Sequence, residues 1–144
     1  MIGRLLNAKF VPSSYDLGLF VLRVGTGLIL FLRHGWEKVS ALTLSNPNFP
    51  DPIHIGHNTS WVISMVSDGI FSVLIILGVG TRWLSLYCFL NIFTAWALVH
   101  HFVFLGKSGG ADHGELIAQY LVAFASLMIA GSGRYSVDAL LADK

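Results

Sequence analysis

Imidazole and carboxylate groups exchange protons readily near neutral pH, and this 144-residue chain carries six histidines beside eight acidic residues. His34, His54, His57, His100, His101 and His113 recur near Glu37, Asp51, Asp112 and Glu115. Such a set can move protons, hold a metal through nitrogen and oxygen, or hydrogen-bond a polar head group. Metal binding is the weakest of the three. No HxH or HExxH spacing occurs, and His100 and His101 project about 100° apart on a helix, so no metal site is expected. A haem held by His34 and His100 is conceivable but disfavoured, and no covalent cofactor is expected. The single cysteine, Cys88, excludes an internal disulfide and a CxxC dithiol. No GxGxxG leads from a strand into a helix, so nothing here addresses a flavin or a nicotinamide.

Two charges, Arg23 and Asp68, fall inside apolar runs, where a charge is costly and asks for a partner or a purpose. Counting inwards from Asp16 and from Ser60 at about 1.5 Å per residue leaves roughly 8 Å of depth between them in a ~30 Å core. An arginine side chain spans that gap, so the two are expected to form an intramembrane ion pair, which either fixes helix register or takes part in ligand or proton handling. Helical spacing groups further polar residues into stripes: Arg23, Gly27, Leu30, His34 and Lys38; Ser60, Ser64, Asp68 and Ser72; Asn91, Thr94, Leu98 and His101; Glu115, Gln119, Val122 and Ser126. Four stripes turned inwards would enclose a polar pocket, with His34, Lys38, His101, Glu115 and Gln119 as its candidate residues. The serines are expected to act as hydrogen-bonding glue between helices.

These stripes need helices to carry them, and the composition names the solvent. Of all residues, 54% are hydrophobic and 12% charged, about half the charged fraction of an ordinary soluble domain. The mean hydropathy is +0.68. A formal net charge of +1 provides no extended basic surface, which excludes nucleic acid as a partner. Four apolar stretches, Leu17 to Leu32, Trp61 to Val79, Trp83 to Leu105 and Leu116 to Ala130, approach the ~20 residues that cross a bilayer. Lipid offers no water to unpaired backbone groups, and four short segments cannot close a barrel. The prediction is an all-α, four-transmembrane-helix bundle in contact with the lipid bilayer, with helices at about 16–37, 60–79, 82–105 and 114–131 in a single domain over residues 1–144. Met1 to Val11, with Leu5, Leu6, Phe10 and Val11 beside Arg4 and Lys9, is expected to form a short interfacial helix. Asn46 to Pro52 reads as a rigid, proline-rich loop. Arg4, Lys9, Arg82, Arg134 and Lys144 flank one side and Arg33, Lys38 and Lys107 the other, which favours both termini in the cytoplasm and the histidines outside.

The order His34-Gly35-Trp36-Glu37-Lys38, Phe49-Pro50-Asp51-Pro52, Gly80-Thr81-Arg82, Gly109-Gly110-Ala111-Asp112-His113-Gly114-Glu115 and Gly133-Arg134-Tyr135-Ser136-Val137-Asp138 resembles the DoxX family of small bacterial inner-membrane proteins, over about Asp16 to Leu141. The resemblance implies a multi-pass four-helix bundle in the bacterial inner (plasma) membrane. It also implies a link to membrane redox chemistry, since the family is named after a subunit of a thiosulfate:quinone oxidoreductase. At Asp68 the chain departs from the pattern, because many relatives carry a glutamate there.

A quinone needs an apolar slot and donors for its two oxygens. The expected function is therefore a quinone-interacting or quinone-proximal subunit of a membrane oxidoreductase assembly, not catalytic alone. In it His34, Lys38, His101 and Glu115 would serve the quinone, and other protein subunits would oxidise the electron donor. One alternative is a noncatalytic accessory or assembly subunit of a larger membrane complex. A small-molecule or lipid carrier gated by Arg23 and Asp68 is less favoured, because no helix is evidently broken.

Overall fold

Residues 14–41, 45–104 and 114–142 are described by a computed structural model of the chain. The interfacial helix expected over Met1 to Val11 lies outside the described residues.

Ser14 starts the first helix by accepting the Leu17 amide at 3.2 Å on its side-chain oxygen, which satisfies one of the free donors of the first turn. Helix α1 then runs through Tyr15–Ser40. Helix α2 spans His57–Leu77, α3 Thr81–Val99 and α4 Gly114–Ala130, and a short α5 covers Val137–Ala142. The first three are long and apolar enough to cross a membrane, and α4 is a shorter apolar helix of 17 residues. Together they form an all-α bundle of about four spans, and the chain is a small multi-pass membrane protein. Its outer surface agrees with lipid as solvent: Val122 is 67% and Ile129 72% exposed on α4, and Val21 and Leu32 are each 61% exposed on α1.

Three helices contain a π-helical turn, Phe31–Gly35 in α1, Val66–Phe71 in α2 and Ala95–Val99 in α3. Such one-residue widenings of the α ladder occur as single turns inside α-helices, often at functional sites. The third turn helps explain why α3 stops at Val99 instead of continuing to residue 105. After it, His101 (φ 49°) and Phe102 (φ 57°) take left-handed conformations. The Phe102 amide then donates to the Trp96 carbonyl at 3.0 Å and the Trp96 indole donates to the Val103 carbonyl at 3.3 Å, folding the chain back on itself.

Helices α1 and α2 pack antiparallel with close backbone approach. Gly27 lies against Ser72 and Ile76, and Gly35 lies against the Asp68 carbonyl, where a Cβ would collide with backbone. Helix α4 packs chiefly on α3 and also contacts α1. The core between the helices is formed by Leu30, Ile75, Cys88, Ile92, Tyr120, Leu121, Phe124 and Leu127. At the end of the bundle where α1 begins, the chain between α2 and α3 turns through Gly78 (φ 77°) and Gly80 (φ 58°). The Asp138 carboxylate, from the C-terminal segment, accepts the amides of Gly80 at 2.8 Å and Thr81 at 3.2 Å and so caps α3 from 57 residues away.

Candidate functional site

The opposite end of the bundle holds a cavity of about 340 Å³, within the size range of small-ligand pockets. All four spanning helices reach it: Leu30, His34 and Lys38 from α1; Ser60, Ile63, Ser64 and Asp68 from α2; Asn91, Ile92, Thr94, Ala95 and Val99 from α3; Leu116, Ile117 and Tyr120 from α4. His100 joins them from just beyond α3, and Phe49, Pro50, Pro52, Ile53 and Ile55 line it from the loop between α1 and α2. The wall is mostly apolar with a few polar groups, the usual composition of a ligand pocket.

One carboxylate gathers three of the hydrogen bonds that shape this loop. Asp51 Oδ1 accepts from the Ile55 amide at 3.0 Å and the Ser60 hydroxyl at 2.9 Å, and Oδ2 accepts from the Gly56 amide at 2.7 Å. His57 Nδ1 donates to the Phe49 carbonyl at 2.6 Å, and the Phe49 ring meets Trp61 edge-on at 5.3 Å. Asp51 is partly desolvated, which alone would raise its pKa, but the bonds from Ser60, Gly56 and Ile55 outweigh that and hold it below the ordinary carboxylate range. A carboxylate with a depressed folded-state pKa contributes stability that is complete above its unfolded value of about 3.9 and is lost as the pH falls through the folded value. The amide NMR signals of Ile55 and Gly56 are therefore expected to titrate together with a midpoint below that value, and Asp51→Asn should abolish the titration. A midpoint at or above the ordinary value would refute this account of the loop.

At the inner wall of the cavity Lys38 Nζ meets Asp68 Oδ2 at 2.6 Å, and the Ser64 hydroxyl donates to the same oxygen at 3.1 Å. Both charged residues are buried. The expected pair of Arg23 with Asp68 is not formed. The antiparallel register set at Gly27 and Gly35 brings Lys38 level with Ser64 and Asp68, and it places Arg23 beside Gly78 at the other end. Between Arg23 and Lys38 lie about four helical turns, roughly 22 Å. Lys38, not Arg23, is therefore the cation within reach of Asp68. Arg23 instead donates from Nη2 to the Tyr135 carbonyl at 2.6 Å and lies 5.7 Å from the centre of the Phe20 ring, tying α1 to the C-terminal segment.

His34 and Lys38 are thus brought together in the cavity, while His101, Glu115 and Gln119 are not. His101 is exposed in the left-handed turn after α3, and its neighbour His100 takes the lining position. Glu115 and Gln119 share one face of α4, as their spacing requires, but that face turns outwards into a shallow groove with Leu22, Phe104, Ala118, Val122, Ala123 and Ser126. Leu116, Ile117 and Tyr120 face the cavity in their place. Nor do the hydroxyls of the stripes bridge helices: those of Ser72, Thr94 and Ser126 donate to carbonyls of their own helices. Among the described residues no group of three or more His, Cys, Asp or Glu side chains is placed to hold a metal ion. His113 lies outside the described residues.

A family model for DoxX matches residues 18–101, from the first turn of α1 to just past α3. The chain belongs to the DoxX family. Within that match lie His34 to Lys38, Asp68 and the cavity loop, whereas α4 and the C-terminal segment that holds Arg23 lie beyond it. No curated protein matches this DoxX chain, and no solved structure does.

Proposed function

We propose that this protein binds a quinone in the cavity, as the quinone-interacting or quinone-proximal subunit of a membrane oxidoreductase assembly. The observation that supports this reading is the cavity itself, an apolar slot whose inner wall carries a buried Lys38–Asp68 pair beside His34 and Tyr120. Leu30, Ile63, Ile92 and Ile117 fit the apolar body of such a ligand, and the apolar loop residues from Phe49 to Ile55 keep water from it. Lys38 has two ammonium protons beyond the one given to Asp68, Tyr120 has a hydroxyl, and His34 has an imidazole that donates from one ring nitrogen and accepts at the other. When bound, a quinone supplies acceptor chemistry for two electrons and two protons. The residues here bind, orient and deliver protons; oxidation of the electron donor belongs to a partner subunit. In this reading the protein sits in the bacterial inner membrane with both termini in the cytoplasm, so that the cavity opens outwards.

The test is calorimetric titration of the detergent-solubilised protein with decylubiquinone. Saturable one-to-one binding is expected, weakened at least tenfold by Tyr120→Phe combined with His34→Ala and unchanged by Glu115→Gln on the outward face of α4. Absence of binding of both decylubiquinone and its reduced form by folded protein would rule the reading out.

A further inference from the structure

Two oxygens on residues that line the cavity have hydrogen-bonding capacity left over. Asp68 Oδ2 is fully engaged by Lys38 and Ser64, but Asp68 Oδ1 and the Tyr120 hydroxyl are buried with no hydrogen-bond partner among the described residues. Each of these two residues is 6% exposed, and each lines the cavity. Their chemistries differ in a way that selects a ligand. Paired with an ammonium, Asp68 is a carboxylate, and a carboxylate oxygen can only accept. The tyrosine hydroxyl both donates and accepts.

We propose that the cavity discriminates between the two redox forms of its ligand and favours the hydroquinone. A hydroquinone hydroxyl can donate to Asp68 Oδ1 and at the same time accept from Tyr120, satisfying both of these oxygens once the side chains shift enough to admit it. A quinone carbonyl accepts from Tyr120 or Lys38 equally well but offers nothing to Asp68. It sets a lone pair near a carboxylate oxygen that has already lost its water, and an unsatisfied buried acceptor is the costlier outcome. The same asymmetry lets sites built to bond a hydroxyl reject the analogue that lacks it. This inference rests on the proposed binding of a quinone-class ligand and adds which form is held. Tighter binding of the reduced form makes the bound couple a better oxidant than the free couple in the membrane. A tenfold preference corresponds to about 30 mV for two electrons. The reaction that this site serves would then be one that delivers electrons to the bound quinone, from a donor oxidised on the partner subunit.

The experiment is a paired calorimetric titration under anoxia, with decylubiquinone and with the same compound chemically reduced to its hydroquinone. The full-length protein is expected to bind the hydroquinone on the order of tenfold more tightly. Asp68→Asn brings an amide that donates as well as accepts, and it should reduce the preference to within about twofold. The Lys38→Met/Asp68→Leu double variant, which removes both buried charges, should also lose the preference and serves if the single variant does not fold. Equal binding of the two forms by the unaltered protein, or tighter binding of the quinone, overturns the inference and leaves the proposed function standing. A preference that survives in the variants removes Asp68 as its source and overturns the inference equally. Binding of neither form overturns both.

Discussion

Asp68→Ala is expected to destabilise the bundle by about 3–5 kcal/mol, because it leaves the Lys38 ammonium buried with no counter-charge. The magnitude follows from the asymmetry of buried pairs. Forming Lys38–Asp68 costs the desolvation of two charges and returns roughly that much, whereas removing one partner leaves the cost of the other. The Lys38→Met/Asp68→Leu double variant removes both charges and should recover most of the loss. SDS-driven unfolding in mixed micelles, followed by far-ultraviolet circular dichroism, gives the three free energies. A loss below about 1 kcal/mol in Asp68→Ala would mean that the lysine reaches water through the cavity mouth and that the pair does not hold the bundle.

Gly35→Ala is the second large effect, and it comes from backbone rather than charge. A Cβ at residue 35 would strike the Asp68 carbonyl, which sits in the α2 ladder and cannot move as a side chain does. Helices α1 and α2 must separate to admit it, at about 1–3 kcal/mol and towards the upper end because a main-chain atom is met. Separation here would also lengthen the Lys38–Asp68 contact three residues on, so ligand binding should weaken along with stability. The control is Gly25→Ala on the same helix, where no atom lies within 4 Å of the added Cβ. That change should be neutral or stabilising by up to about 1 kcal/mol through helix propensity. Equal stabilities of the two variants would mean that close approach at Gly35 is not what sets the register.

The contrast between those glycines shows what was legible in the sequence. Four apolar runs in a chain with 12% charged residues required helices in lipid, and the described residues form an all-α bundle of about four spans. Periodicity also placed Leu30, His34 and Lys38 on one face of α1, and Ser60, Ser64 and Asp68 on one face of α2, because a stripe is a property of a single helix. What a stripe faces is a property of two helices, which the periodicity of one helix does not carry. Glu115 and Gln119 do share a face, but in a bundle clad in lipid the outward face is as available as the inward one, and Tyr120 took the cavity. The partner of Asp68 depended on the register of α1 against α2. Gly35 and Gly69 were the available signal, since small residues mark where transmembrane backbones meet. The cap that Asp138 places on Gly80 and Thr81, and the hold of Tyr135 on Arg23, join distant parts of the chain and have no local signature.

The π turns bear on how this chain should be compared with its relatives. Each of the three holds a surplus residue that the α ladder on either side absorbs, so losing one residue there would leave both flanks where they stand in the bundle. They lie around His34 and just before Lys38, around Asp68, and just before His100. A relative with an unwidened helix would carry the same cavity with its residue numbers displaced by one beyond that point. An alignment without gaps would then set its cavity residues opposite lipid-facing ones here, and the tandem His100-His101 would hide the slip by offering an imidazole in either frame. Single-residue gaps inside transmembrane helices, usually penalised as errors, are where homologous cavity positions in this family would be recovered.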